Sequence, residues 1–406
     1  MTRRATARGD ERTSLDGTEA DVLVCGASFA GLAVARELAG SGARVVLLDR
    51  YEVGERATSA CAAPTDWLRA MGVADAIRSE LPCMRFTTPH GSVRCRLPWS
   101  WSAFDYRELC RLLHAQTDAR FETALVQRRA DGGVATDRGV LRAPIVVDAL
   151  GWRRVLDAGG VFQPPDAPLS RGLEVHPHDA VDSDELHVWV ERDLVRRGYG
   201  WSVPAGREVR VGVGSYEPRR HVREPTVRLA EREGHDAVRY QGNWFPHRLR
   251  PATGGGVFFV GDAAGHCLPL SGEGIRTAFY FGIACGRELR AVVEGRSTRA
   301  EALERYGTFS ADHARPYRLA LALQRIVPAL PPRALTAALR LVGRRPIGDR
   351  AFGWYLEQAH PRFAAAAGRG RPTLSACRSR SPSPDRSSSS TAARAAASSD
   401  PTSRRA

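Results

Sequence analysis

Residues 21–50, DVLVCGASFAGLAVARELAGSGARVVLLDR, place Gly26, Ser28 and Gly31 at the spacing of G-x-G-x-x-G, with serine in the middle position. A short apolar run (21–26) precedes the motif, a stretch of helical spacing (29–40) follows it, and a second apolar run (43–49) ends at Asp49. In that setting Gly26 permits a tight turn and Gly31 lets the helix lie close to the sheet. The free N–H groups and positive dipole end of the helix then face a pyrophosphate. Asp49 stands 23 residues after Gly26, close to the spacing of about 20 at which a carboxylate reaches an adenosine ribose. Ser28 brings a Cβ to a place where backbone normally approaches phosphate, yet its hydroxyl is able to donate to that phosphate. Strand, helix, second strand and acid together predict a dinucleotide site despite the serine.

A second stretch, VFFVGDAAGHCLPLSGEGIRTAF (257–279), reads as a buried strand ending at Gly261-Asp262, a Pro/Gly-rich loop and a helix. An Asp at a strand terminus can accept hydrogen bonds from a ribityl chain. The loop Pro269–Gly274 aims the N-terminus of the next helix, whose positive end stabilises an anion developing on a reduced isoalloxazine ring. The plainer reading is a strand–loop–helix connection with glycines for its turns.

These motifs need a scaffold, and the chain alternates strand and helix patterns to provide one. Residues 21–49 form a β-α-β unit. A helix is expected over 105–116, a buried strand over 144–150 (PIVVDAL), and short strands with intervening turns over 171–250, where they suggest an antiparallel sheet. Residues 296–363 are mostly helical in spacing. The expected fold is α/β (α+β overall): a Rossmann-like nucleotide domain from 20–80, 100–160 and 250–295, a substrate domain from 81–99 and 161–249, and C-terminal helices over 296–366. Residues 1–19 read as a loose polar lead. Residues 367–406, rich in Ser, Arg, Pro and Ala, cannot bury enough surface to order themselves.

The pair of motifs resembles the FAD-dependent oxidoreductases of the para-hydroxybenzoate hydroxylase superfamily; GDAAGxxxPxxGEGI is similar to their second FAD signature. FDYRELCRLL (104–113) resembles that family's helix with an FAD-contacting arginine, here Arg107, and VVDALGWRR (146–154) its strand ending in D-A-x-G, with Leu150 where many members carry an acid or small polar residue. Within the superfamily the chain is most similar to geranylgeranyl reductases. RGYGWSVPAGREVRVGVG (197–214) resembles their aromatic motif through Tyr199, Trp201 and Pro204, with Val203 in place of a Phe. ERATSACAAPTDWL (55–68) resembles their cysteine loop through Cys61, with Ala62 and Ala63 where two glycines usually follow. FAD is the cofactor this implies. The cofactor-binding set is then Gly26, Ser28, Ala30, Gly31, Asp49, Arg50, Arg107, Gly261, Asp262, Pro269, Gly272, Gly274 and Ile275, and the catalytic set Tyr199, Trp201 and Cys61.

Residue chemistry leaves alternatives open at this point. Tyr199 and Trp201 alternate on a strand and face one side; that side is either an apolar wall beside the flavin or ordinary sheet core. Cys61 is either a small buried residue or a group near the flavin, and His266 either a loop hydrogen-bonder or a proton donor. The implied reaction is reduction of a prenyl or isoprenoid carbon–carbon double bond by hydride from reduced flavin, with electrons from NAD(P)H or a ferredoxin. The same flavin motifs serve aromatic or polyketide monooxygenases using NAD(P)H and O₂, and a non-catalytic flavin-fold lipid binder is a third reading. Flavin-dependent halogenases resemble this region too, but the familiar ones need a lysine.

Composition narrows the partners. The chain has 406 residues, a net charge of +14 and no lysine at all. The tail after Ala366 holds eight Arg against two Asp, and no basic stripe interleaved with aromatics suggests nucleic acid. Eight cysteines form no C-x-x-C, and no cluster has metal-ligand spacing. A cytoplasmic setting is expected, with no signal peptide and no apolar run of about 18 residues. Residues 312–342 carry Leu, Ile and Ala at helical spacing among arginines, which reads as a helix pair over the core, or as a basic amphipathic surface on the inner face of an anionic bilayer.

Overall fold

The first β-α-β unit forms as the apolar runs dictate: strand Val22–Cys25, helix Phe29–Leu38 and strand Val45–Asp49. The computed structural model describes residues 12–57, 61–157 and 169–365. Both strands of the unit are almost wholly buried, as continuous apolar strands of a parallel sheet must be. They join a six-stranded sheet in the order Thr253–Gly254, Val257–Phe259, Ile145–Asp148, Val22–Cys25, Val45–Asp49, Arg120–Thr123. All its pairings are parallel except the outermost hairpin of 253–254 with 257–259. The order reverses beside Val22–Cys25, so a crevice opens at the carboxyl ends of the strands there.

Helix Ile275–Val293 packs on helix Phe29–Leu38 through two glycines. A Cβ on Gly282 would lie 2.8 Å from the Ala33 Cβ, and one on Gly286 would lie 2.6 Å from the Glu37 Cβ. This close crossing fixes both helix N-termini on the same crevice.

A second sheet of eight strands runs in the order Gln241–Pro246, Leu169–Val175, Val209–Ser215, Gly198–Pro204, Glu185–Trp189, Ile77–Thr88, Gly91–Phe104, Ala62–Pro64. It is antiparallel except where Glu185–Trp189 meets Ile77–Thr88. Alternation along its strands separates two faces. Val209, Val211 and Val213 pack with Leu229 of helix Arg223–Arg232, whereas Gly212, Tyr199 and Trp201 turn to the opposite face. The chain enters this sheet at 62–64 and again over 77–104, a wider span than the 81–99 read from the sequence. Helix Arg223–Arg232 also lies within the stretch read as strands and turns.

The C-terminal helices Arg299–Ala311, Ala314–Ile326, Pro332–Val342 and Arg345–Glu357 complete the molecule. Polar contacts fasten them to the second sheet and its flanks: Thr88 Oγ1 to Thr336 Oγ1 at 2.6 Å, Arg192 Nε to the Pro328 carbonyl at 3.0 Å, and Trp67 Nε1 to the Ala359 carbonyl at 2.8 Å. Both sheets and these helices fall within one compact unit.

One expectation for the N-terminus is corrected. Residues 12–19 are not a loose lead: Leu15 is buried, and Arg12 donates to Asp137 and to the Thr123 carbonyl. An apolar side chain and an ion pair hold this segment against the hairpins of 126–142. Residues 1–11 and the tail 367–406 lie outside the described residues.

Candidate functional site

Four strands of the first sheet deliver their carboxyl ends to one cavity of about 1500 Å³. Its wall takes Gly26 after the first strand, Asp49 and Arg50 after the second, Ala149–Gly151 after Ile145–Asp148, and Val260–Asp262 after Val257–Phe259. The volume exceeds the roughly 300–1,000 Å³ of an ordinary ligand site, which leaves room for two molecules end to end.

At the nucleotide end the wall is backbone, and the glycines have steric reasons. Gly26 has φ +112°, and a Cβ there would sit 2.3 Å from the Ala149 carbonyl oxygen. Gly31 lies behind the wall; its missing Cβ would fall 1.8 Å from the Gly26 carbonyl oxygen. Ser28 caps helix Phe29–Leu38, and Tyr106 Oη donates to Ser28 Oγ at 3.0 Å. Ser28, Phe29 and Ala30 all line the cavity. Asp49 accepts from the backbone N–H groups of Ala27 (2.8 Å) and Tyr51 (3.0 Å), which sets its carboxyl at the cavity edge. Burial raises the Asp49 pKa, and those two N–H groups partly oppose the shift.

At the middle of the cavity stand Asp262 and the loop 270–275. Burial pushes Asp262 up to about 6, against the pull of Arg250. Gly261 (φ +64°) and Gly272 (φ +67°) make the turns on either side. Gly274 caps helix Ile275–Val293 and lines the wall with Gly272 and Ile275. Glu273 is held in the loop by a two-pronged pair with Arg276 (2.7 and 2.8 Å) and by the Tyr355 hydroxyl at 2.6 Å. The Ser271 and Tyr355 hydroxyls share a further bond of 2.6 Å. Helix Arg345–Glu357 is thereby anchored on the loop.

The far end is a chamber between the second sheet and the C-terminal helices, lined by Met84, Phe86, Leu186 and Val188 from the sheet and by Leu323, Leu335, Leu339 and Phe352 from the helices. Tyr199 and Trp201 form its inner wall, 5.7 Å between ring centroids. The Trp201 indole lies over glycines: a Cβ would meet it at 2.3 Å from Gly212, 3.3 Å from Gly214 and 3.5 Å from Gly172. Tyr199 Oη donates to the Ser271 carbonyl, so the aromatic wall touches the loop at the cavity's middle.

Not every residue singled out from the sequence reaches the wall. Arg107 is exposed, and Tyr106 faces the cavity in its place. Helical phase explains this: Tyr106, Leu109, Cys110 and Leu113 share the buried stripe, and Arg107 is off it. Pro269 shapes the loop from behind. Cys61 is buried outside the cavity wall with φ +52°, and its carbonyl accepts from the Phe104 N–H (2.9 Å) and Arg210 Nη1 (3.1 Å). Burial pushes its thiol up to about 12, against the pull of Arg210. His266 also lies outside: its ring stacks on Phe281 at 3.7 Å and its Nε2 bonds Ser310 at 3.0 Å. The sequence reading missed Tyr106, Arg56, Glu174, Glu273 and Tyr355, all of which line the cavity. Helical phase marks Tyr106, and Glu174 stands out as an acid beside strand-forming residues; no sequence signal singles out Tyr355.

Comparisons with known proteins agree with this geometry. Residues 19–139 match the FAD binding domain family. Digeranylgeranylglycerophospholipid reductase 1 of Methanothermobacter thermautotrophicus is 26% identical over 334 residues, 71% of this chain and 81% of that protein. A geranylgeranyl bacteriochlorophyll reductase-like protein from Thermoplasma acidophilum superposes with a TM-score of 0.73 at 18% identity, over 86% of this chain and 98% of the other. A probable FAD-dependent monooxygenase from Pseudomonas aeruginosa superposes with a TM-score of 0.56 at 19% identity, over 76% of this chain and 99% of the other. The cavity fits FAD on its own terms: Gly26 and Gly31 let the backbone close up into a cradle that a Cβ at either would force apart, two helix N-termini face it, and carboxyls sit at both ends of the nucleotide half. This chain is an FAD-dependent oxidoreductase.

Proposed function

We propose that the chain saturates carbon–carbon double bonds of a prenyl lipid or prenylated quinone. The observation that carries this reading is the apolar chamber continuous with the nucleotide site, walled by Tyr199 and Trp201 where the two halves meet. Relatives named as prenyl-lipid reductases support the same substrate class.

Bound FAD, once reduced, supplies a hydride. The residues of the chain would do the rest. Gly26, Ser28 and Ala30 would hold the diphosphate at the first helix N-terminus, with Asp49 on the adenosine ribose and Asp262 on the ribityl hydroxyls. The N-terminus of helix Ile275–Val293 would stabilise negative charge on the ring. The chamber would keep the prenyl chain dry and aligned. An isolated alkene is a poor hydride acceptor, and the faces of Tyr199 and Trp201 would stabilise positive charge at its tertiary carbon. Electrons would come from NAD(P)H binding transiently or from a ferredoxin.

A lipid must also reach the chamber. No helix among the described residues is long and apolar enough to cross a membrane. Leu319, Ile326 and Trp354 line the cavity and are also close to half exposed, at 48%, 51% and 45%. Such a rim, on helices carrying Arg315, Arg318 and Arg325, would rest on the headgroups of an anionic bilayer and open the chamber toward it.

The test is anaerobic incubation of the chemically reduced holoenzyme with prenyl lipids of several head groups. Two mass units gained per double bond support the reading. Inertness toward every prenyl lipid, with oxygen uptake coupled to an aromatic substrate, overturns it in favour of a monooxygenase.

A further inference from the structure

Alkene reduction needs a proton as well as a hydride, and four acids line the cavity: Asp49, Glu174, Asp262 and Glu273. Asp49 and Asp262 belong to the nucleotide half, and Glu273 is clasped by Arg276. Glu174 alone of the four borders the chamber beside the aromatic wall. Its Oε2 accepts from Trp201 Nε1 at 3.1 Å, and its Oε1 from Gln241 Nε2 at 3.1 Å. Among the described residues no arginine lies within ion-pair distance of it. Burying a carboxyl is expensive unless its hydrogen bonds are met, and a strand position opposite Gly212 needs no acid for packing.

Behind Glu174 a row of polar side chains leads outward. His176 Nε2 lies 2.8 Å from Glu174 Oε1, and His176 Nδ1 lies 3.8 Å from Glu208 Oε1. Glu208 in turn pairs with Arg239 at 3.1 Å. Side-chain exposure climbs along the row: 3% for Glu174, 13% for His176, 21% for Glu208 and 41% for Arg239. Glu174, His176 and Glu208 thus form a row of titratable side chains from the chamber wall toward solvent; the His176–Glu208 step is longer than a direct hydrogen bond, and Glu208 is also paired with Arg210 at 2.9 Å.

We propose that Glu174 donates the substrate proton and that His176 and Glu208 resupply it from solvent. The proposal rests on the alkene-reductase reading above. In the step, the Glu174 O–H bond breaks and its proton bonds to one alkene carbon with the π electron pair. The other carbon, its positive charge facing Trp201, takes the hydride from the reduced cofactor. The Glu174 carboxylate then recovers a proton from the His176 imidazolium, and the imidazole from water at Glu208. Two C–H bonds form, the π bond is lost, and the cofactor leaves oxidised by two electrons.

Glu174→Gln keeps an acceptor for the Trp201 indole but has no acidic proton. The variant is expected to bind FAD and a saturated prenyl lipid as tightly as the wild type, read by flavin absorbance, and to reduce the unsaturated lipid about 100-fold more slowly, the range of a lost general acid. Turnover in D₂O gives product deuterated on a single face in the wild type; in E174Q that selectivity falls as water becomes the donor. His176→Asn, nearer the surface, is expected to slow turnover about 10-fold with the deuterium face retained. Wild-type rates and unchanged deuterium selectivity in E174Q overturn the proposal, as do weakened lipid binding and unchanged kcat, which mark Glu174 as a prop for Trp201. Should E174Q not fold, wild-type kcat in H176N overturns the relay. A wild type that reduces no prenyl lipid removes the reductase reading itself and this proposal with it.

Discussion

At the nucleotide end the cavity wall is largely main chain, closed up by Gly26 and Gly31, of which Gly26 has a positive φ. At the chamber end the wall is side chains, drawn from strands at 77–104 and 185–204 and from helices more than a hundred residues later. The first wall tolerates almost no change of atom count, because a Cβ at Gly26 collides with a carbonyl that cannot move. The second is made of flexible apolar side chains, where swaps of similar volume are absorbed by repacking. Cofactor recognition is therefore rigid and substrate recognition plastic within one continuous cavity. The exception is the seat of Trp201, where Gly172, Gly212 and Gly214 bring glycine rigor into the chamber.

That contrast can be broken at chosen points. Gly26→Ala combines an unfavourable φ with a backbone clash, and we expect it to destabilise the protein by about 3 kcal/mol. Urea denaturation measures the loss, and the purified variant should carry no flavin. Gly212→Ala attacks the other end: displacing the indole should lower turnover about 100-fold while the flavin absorbance stays normal. Loss of flavin together with activity would show that the two walls are not independent.

Asp262→Asn tests the middle, and removing a charge-assisted hydrogen bond should weaken FAD about 10-fold by equilibrium titration. Its stability effect has a definite sign. Burial lifts Asp262 from 3.8 to about 6, so the folded state binds this proton more tightly than the unfolded chain. The favourable contribution is complete below pH 3.8 and is lost as pH rises through 6. The cofactor-free variant should therefore melt higher than wild type at pH 8, and this advantage should shrink as pH is lowered through 6. The smallest effect belongs to the rim: Ile326→Glu should weaken binding to anionic vesicles about 5-fold, by loss of apolar contact and added repulsion, and leave FAD affinity unchanged in the same preparation.

The rigid end was the part legible in the amino-acid order. Gly26, Gly31, Asp49, Gly261 and Asp262 lie in local strand–turn–helix patterns whose meaning survives without tertiary information. Tyr199 and Trp201 were legible too, because period-two alternation fixes their common side. At Arg107 the motif alone omits helical phase, which turns Arg107 to solvent and puts Tyr106 on the wall. For Cys61 the sequence leaves a small buried residue and a group near the flavin open, and burial, which the sequence does not give, puts it off the cavity wall. Tyr355 and the chamber lining were hidden, since contacts such as Tyr355 to Glu273 span 82 residues and follow only from how helices dock on the second sheet. Residues 12–19 were misjudged for the same reason, their partners lying over a hundred positions away.

Helix Arg345–Glu357, fastened by Tyr355 to the loop at Glu273 and Ser271, is among the final elements in chain order. During synthesis the glycine turns and helix Ile275–Val293 emerge before the helices that roof the chamber. The nascent molecule accordingly passes through a stage with a finished cradle and an open ceiling.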